Sequence, residues 1–225
     1  MKDTAAPVHC STSESAEDKS MCRLVVLMSG HGSNLQAILD ACASGELPAR
    51  VVAVISDRAD AFGLERARRA NVPACYKLKL PAQTRHDYDS ELADIVASYH
   101  PGWIVLAGWM RLLTSAFLDR FPNRVVNLHP ALPGAFPGTR AIKRAFEAYQ
   151  HRQITHTGVM VHLVPDEGVD SGPVLAQEAV PIHPDDTLVS LEVRMHAVEH
   201  RLLVATLKQA VNTQSPIASL HLPKE

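Results

Sequence analysis

The chain has 225 residues, room for one large domain or two small ones. Hydrophobic residues make up 46% and charged residues 20%, a balance that excludes a largely disordered chain, a collagen and a disulfide miniprotein. Lys plus Arg number 22 against 24 Asp plus Glu, a formal net charge of −2, so there is no electrostatic case for nucleic acid as a partner.

No apolar run approaches the roughly 18 residues of a membrane-crossing helix, so no membrane partner is expected. The cysteines Cys10, Cys22, Cys42 and Cys75 form no CxxC pair. Reduced thiols in a cytoplasm fit that pattern better than zinc or disulfides. Residues 1–21 are polar, mix both charge signs and lack the apolar stretch of a signal peptide. They read as a flexible tail ahead of one domain over 22–225.

From Leu24 the pattern is regular. Leu24 to Met28 is an unbroken apolar run, the mark of a strand buried on both faces. Leu35, Ile38, Leu39 and Cys42 then fall on one helical stripe, with Ser33 as the expected cap and Gly45 as the stop. Val51 to Ile55 is a second strand, Leu64 to Ala70 a short helix and Cys75 to Leu78 a short strand. Tyr88, Leu92, Ile95, Val96 and Tyr99 mark a helix that Pro101-Gly102 stops. Trp103 to Ala107 is a strand, Ser115 to Leu118 a short helix and Arg124 to Leu128 a further strand. Strands alternating with helices predict an α/β fold with a mostly parallel, twisted sheet and helices on both faces.

After residue 129 the texture changes. His129 to Gly138 carries three prolines and two glycines, a stiff loop. Ile142 to Tyr149 is helical. Thr157 to Val164 and Val174 to Ile182 read as strands able to pair antiparallel across an acidic turn. Leu191, Met195, Val198 and Leu202 lie along a C-terminal amphipathic helix.

Two places carry chemistry. Gly30-His31-Gly32-Ser33-Asn34 sits where a strand meets a helix, and free N–H groups there attract an anion. A dinucleotide fingerprint would need glycine where Leu35 stands, and the Gly-Lys-Ser/Thr of an ATP loop is absent, so the choice lies between a single phosphate site and a plain turn. Asn127 and His129 share a face at the carboxyl end of their strand, where open α/β sheets bind ligands. A histidine there moves protons near neutral pH, and an asparagine amide can donate to an oxyanion. The alternative is a histidine satisfied by the backbone. Asp166 to Asp170 supplies carboxylates, one of which would favour a charged His129 if the loops met. Glu199 and His200 read as a solvated helix face, and His156 and His162 as strand-surface residues. Arg85 and Arg111 could bind an anion, but surface arginines are common.

The stretches VVLMSGHGSNLQAILDA (25–41), SDRADAFGLERARRA (56–70), VLAGWMRLLT (105–114), NLHPALPGAFPGT (127–139) and GVMVHLVPDEGVDSGPVLAQE (158–178) together resemble the phosphoribosylglycinamide formyltransferase family. The resemblance implies a Rossmann-like formyltransferase fold, with a ribonucleotide phosphate-binding half over about 22–122 and a folate and catalytic half over about 123–212. It implies transfer of a formyl group from 10-formyltetrahydrofolate, as cosubstrate and without a metal, to glycinamide ribonucleotide in purine biosynthesis, by a monomer or a homodimer. Asn127, His129 and Asp170 match the family's catalytic trio. Gly32, Ser33, Asn34 and Glu199 match its ribonucleotide contacts. Arg85, Met110, Arg111, Leu112 and Leu113, with Asn127, Asp166, Glu167, Gly168, Val169 and Asp170, match its folate contacts. His31 stands where the family more often has Asn, and HPALPGAFPGT departs from the commoner HPSLLP. Alternatives are another formyltetrahydrofolate-using enzyme, a hydrolase or a methionyl-tRNA formyltransferase, and a non-catalytic folate- or nucleotide-binding module. A methionyl-tRNA formyltransferase would carry a further C-terminal domain, and few residues follow the last helix.

Overall fold

A computed structural model describes residues 21–213; the tail expected over 1–21 lies almost wholly outside them, as do residues 214–225. Seven strands form one sheet in the order β3-β2-β1-β4-β5-β6-β7. They are β1 (Cys22–Met28), β2 (Ala49–Ser56), β3 (Ala74–Tyr76), β4 (Trp103–Leu106), β5 (Val125–His129), β6 (His156–Leu163) and β7 (Val174–Pro181). The first five are mutually parallel, and β6 and β7 add antiparallel. The expected mixture of a parallel body and an antiparallel C-terminal addition is present.

Side chains alternate across the strands into two cores. Leu24, Val26 and Met28 of β1 enter one core with α1 (Ser33–Ala43), α2 (Phe62–Arg69), α5 (Ala141–Gln150) and α6 (Leu188–Asn212). Val25 and Leu27 enter the other with α3 (Arg85–Ser98) and α4 (Ser115–Leu118). Burial on both faces is why β1 shows no polar alternation.

The boundaries differ where the sequence signal is local. Gly32, not Ser33, caps α1, in a left-handed conformation (φ 75°) and with no side-chain cap. A Cβ at Gly32 would also lie 2.7 Å from the Gly63 Cα, so both the torsion and the approach of α2 require glycine there. Helix α6 runs ten residues past Leu202, to Asn212, because Leu203, Val204, Leu207 and Ala210 continue its buried stripe. Its start is fixed by a capping box between Thr187 and Ser190.

Candidate active site

The carboxyl ends of β1, β4 and β5 open onto a cavity of about 340 Å³. Ser33 and Asn34 of α1 border it, as do Met110 to Leu113 after β4, Asn127 and His129 of β5, Asp166 to Asp170 after β6, and His196 and Glu199 of α6. The strand order reverses here, from β1 outward to β3 and from β1 back to β4, the switch point at which such sheets form a crevice.

At its centre Asn127, His129 and Asp170 meet. Asn127 Nδ2 donates to Asp170 Oδ1 at 3.0 Å, and His129 Nδ1 lies 3.2 Å from Asp170 Oδ2. The backbone N–H of Gly138 donates to the same Oδ2 at 2.8 Å. Asp170 holds this position in a left-handed conformation (φ 50°), unusual for a residue with a side chain. The acidic turn is therefore not the solvated loop that its composition suggests, since its last carboxylate is drawn inward. Its backbone is pressed close: a Cβ at Gly172 would lie 1.9 Å from the Leu163 carbonyl oxygen.

Burial pushes the His129 imidazole below its usual range, and the Asp170 charge only partly pulls it back. Asp170 thus favours the charged ring, as expected once the loops meet, but burial outweighs it and the neutral ring is favoured near neutral pH. Yet both ring nitrogens face acceptors, because Nε2 lies 3.2 Å from the Phe136 carbonyl. Only the imidazolium donates to both. Burial raises the Asp170 carboxyl, but the His162 and His129 rings, once protonated, and the Gly138 N–H outweigh it and hold the group below the usual carboxylate range.

His162 is the main member that sequence reasoning left on the strand surface. It is buried, directly opposite Asn127 in the β5–β6 register. Its Nδ1 donates to the Leu163 carbonyl at 2.7 Å, which leaves Nε2 to accept from Asn127 Nδ2 at 3.1 Å. Both Asn127 amide hydrogens are thus engaged. Only the pairing register could have disclosed this neighbour.

At the glycine-loop end, Asn34 Nδ2 donates to Glu199 Oε2 at 2.9 Å. Glu199 is only 5% exposed, so the expected solvated helix face is corrected: the α1–α6 packing buries it. Arg66, also unmarked by the sequence, ties the loop down. Its Nε donates to the His31 carbonyl at 3.0 Å, and its guanidinium lies 4.9 Å above the Phe62 ring, on which His31 stacks.

The opposite end is apolar. Met110 and Leu112 are well exposed at the cavity mouth, and Leu113 is buried. Arg111 turns its guanidinium to Asp57 (3.5 Å) and the Tyr88 ring. Arg85 is not among the cavity-lining residues; it reaches this loop through the Leu112 carbonyl at 3.3 Å. Buried Asp89 accepts the Thr114 N–H at 2.7 Å and closes the loop from behind. Asn34 Oδ1 and the Trp109 indole N–H, on two of the lining residues, are buried without a hydrogen-bond partner. Among the described residues no group of three or more His, Cys, Asp or Glu is placed to hold a metal ion, and no helix is long and apolar enough to cross a membrane.

The family model described as formyl transferase matches residues 22–207. The chain belongs to the formyl transferase family. Phosphoribosylglycinamide formyltransferase of Schizosaccharomyces pombe is 46% identical to this formyl transferase over 201 residues, covering 84% of this chain and 96% of that protein. The enzyme of that name from Escherichia coli is 40% identical, covering 80% and 82%. The crystal structure of glycinamide ribonucleotide transformylase 1 from Symbiobacterium toebii superimposes with a TM-score of 0.81 at 44% identity, covering 86% of this chain and 89% of the other.

Proposed function

We propose that this formyl transferase moves a formyl group from 10-formyltetrahydrofolate to the amine of 5-phosphoribosylglycinamide, the acceptor that its relatives' names give, as a step of purine biosynthesis. The observation that carries the reading is the junction of Asn127, His129 and Asp170 in one cavity, which is also lined by Ser33 and Asn34 just after the glycine loop and by the apolar Met110, Leu112 and Leu113. Each end draws on both halves of the chain. Gly32, Ser33 and Asn34 join Glu199 for the ribonucleotide; Arg85 and Met110 to Leu113 join Asp166 to Val169 for folate. Residues 22–212 therefore act as one domain.

When bound, 10-formyltetrahydrofolate supplies an activated formyl carbon. Backbone N–H groups at the start of α1 hold the phosphate of the acceptor. Glu199, steadied by Asn34, accepts hydrogen bonds from the same substrate. Met110, Leu112 and Leu113 cover apolar surface and exclude water, so charge at the centre is poorly screened. His129, neutral at rest, takes up a proton as the attacking amine loses one, Asp170 offsets the charge so formed, and His129 returns the proton to the folate N10 as the bond from N10 to the formyl carbon breaks and tetrahydrofolate leaves. While charged, its Nε2–H exchanges a neutral carbonyl, Phe136, for the anionic formyl oxygen, the stronger acceptor. Asn127 adds a second donor by giving up one of its present partners. Purified protein should transfer the formyl group to glycinamide ribonucleotide far faster than to water. Formyl release to water alone would instead make the protein a hydrolase, and no reaction with either would leave a binding module.

A further inference from the structure

The loop from His129 to Arg140 is held from outside the cavity by one side chain. Arg144, the fourth residue of α5, donates from Nη2 to the Phe136 carbonyl at 2.5 Å and to the Pro137 carbonyl at 2.6 Å. Its guanidinium also lies 5.9 Å from the Phe136 ring centroid. Phe136 needs such a hold, because it sits at φ 47°, a left-handed conformation that strains a residue with a side chain. The same Phe136 oxygen faces His129 Nε2 at 3.2 Å. One carbonyl oxygen thus stands between an imidazole and a guanidinium, one for each of its lone pairs.

We propose that Arg144 is a positioning residue for His129. It locks the Phe136 carbonyl against the imidazole Nε2 and keeps a fixed positive charge on the far side of that oxygen.

Two consequences follow, both resting on His129 as the group that meets the formyl oxygen. The imidazole plane is fixed at both nitrogens, by Asp170 on one side and by the clamped carbonyl on the other. The guanidinium also draws electron density from the shared carbonyl, so the Phe136 oxygen is a weaker competitor for Nε2–H when an anionic oxygen develops. The other charged or titratable groups around His129 are Asp170 after β6, His162 on β6, Arg140 at the α5 start, and His196 and Glu199 of α6 in the same cavity. Of these and Arg144, only Arg144 acts on the Nε2 acceptor directly.

The test is to titrate His129 by NMR and to record pH profiles of kcat and KM in Arg144→Gln, Arg144→Met and Arg144→Lys. Arg144→Met keeps the packed stem if Arg144→Gln does not fold. Removing a like charge one carbonyl away should raise the His129 midpoint by about half a unit or more in either neutral variant. Arg144→Lys should restore the midpoint. In the neutral variants kcat should fall about tenfold, with KM for both substrates within about twofold, since ground-state binding does not use this contact. An unmoved His129 midpoint in a folded neutral variant overturns the proposal, even if kcat falls, because a mere tether between loop and helix would do that. If the unsubstituted protein transfers no formyl group, the functional reading fails separately, and the midpoints still decide whether Arg144 acts on His129.

Discussion

The two ends of the cavity are built by different means. At the parallel end, β1 leads through a short turn into α1, and the groups offered to a ligand are backbone N–H donors at the helix start, where Gly32 adopts a left-handed turn and lets α2 come within touching distance. At the antiparallel end, the groups are side chains aimed by irregular loops, in which Phe136, Arg140 and Asp170 all take left-handed conformations without being glycine. The first end depends on size: any atom added at Gly32 intrudes. The second is built from functional groups, so changing a donor or acceptor while keeping the shape should be enough to disable it. Substitutions should therefore separate the two ends by what they damage, binding at one and the chemical step at the other.

The sharpest break in that pattern is at His129 and Asp170. His129→Ala should lower kcat by about a thousandfold, the scale of losing a preorganised donor to an oxyanion, with KM little changed. Asp170→Asn should lose nearly as much, because it removes the counter-charge and the acceptor 3.2 Å from Nδ1. The double variant should cost far less than the sum, since the two residues act as a unit. Additive losses would uncouple the pair, and a selective rise in KM would make the antiparallel end a binding surface like the other.

Gly32→Val tests the parallel end. The added atoms meet the Gly63 backbone, and the left-handed torsion alone costs about 1–2 kcal/mol for a non-glycine residue. Stability should drop by about 3 kcal/mol, including the clash. KM for the ribonucleotide should rise at least tenfold, while folate binding by titration calorimetry stays the same. Equal loss of both affinities would mean that the glycine loop serves the fold and not the phosphate.

This contrast also sets what can be read in the sequence. β1, α1 and α3 announce themselves by apolar runs and helical stripes, because burial on one or both faces leaves a periodic trace. The side-by-side placement of Asn127 and His129 follows from the period of a strand. No periodicity carries Asp170 to them, nor His162, nor Arg144, because these meetings depend on the β5–β6 register and on loop torsions that prolines and glycines permit without specifying. Asp170, Gly32 to Asn34 and Glu199 were legible as site candidates through the ordered motifs. The neutral state of His129, the burial of Glu199 and the cap at Gly32 became readable only once packing was known.

A smaller effect separates the ends by pH. Burial holds His129 below its ordinary value, so the unfolded chain takes up that proton more readily as pH falls below about 6.5. Stability should be fully present above that pH and decline beneath it, at most by about 1.4 kcal/mol for each unit separating the folded and unfolded values. Asp170→Asn should steepen the decline between about pH 6.5 and 5, because the carboxylate no longer supports the charged ring. His129→Gln should flatten it, with His200, also pushed down by burial, supplying what slope remains. Gly32→Val should run parallel to the unsubstituted protein, having no titrating partner. Chemical denaturation across this range measures all four, and an Asp170→Asn curve parallel to the unsubstituted one would remove the electrostatic half of the comparison.

The smallest effect belongs to a residue in the antiparallel half that serves neither end. The Thr187 hydroxyl oxygen accepts the Ser190 N–H at 3.1 Å, and the Ser190 hydroxyl oxygen in turn accepts the Thr187 N–H at 3.0 Å. The box starts the helix that carries Glu199, but it lies three turns away, and Arg194 pins the same segment by a paired contact to Asp186 at 2.7 Å. Thr187→Ala should therefore cost about 1 kcal/mol, the usual loss of a helix cap. The helix should unwind by no more than its first turn, because Leu191 and Met195 remain buried beyond it. kcat and KM for both substrates should stay within experimental error. If KM for the ribonucleotide rose with folate binding unchanged, the start of α6 would be steering Glu199 against Asn34. The parallel end would then depend on side-chain placement too, and the division between a backbone-built end and a side-chain-built end would have to be redrawn at that contact.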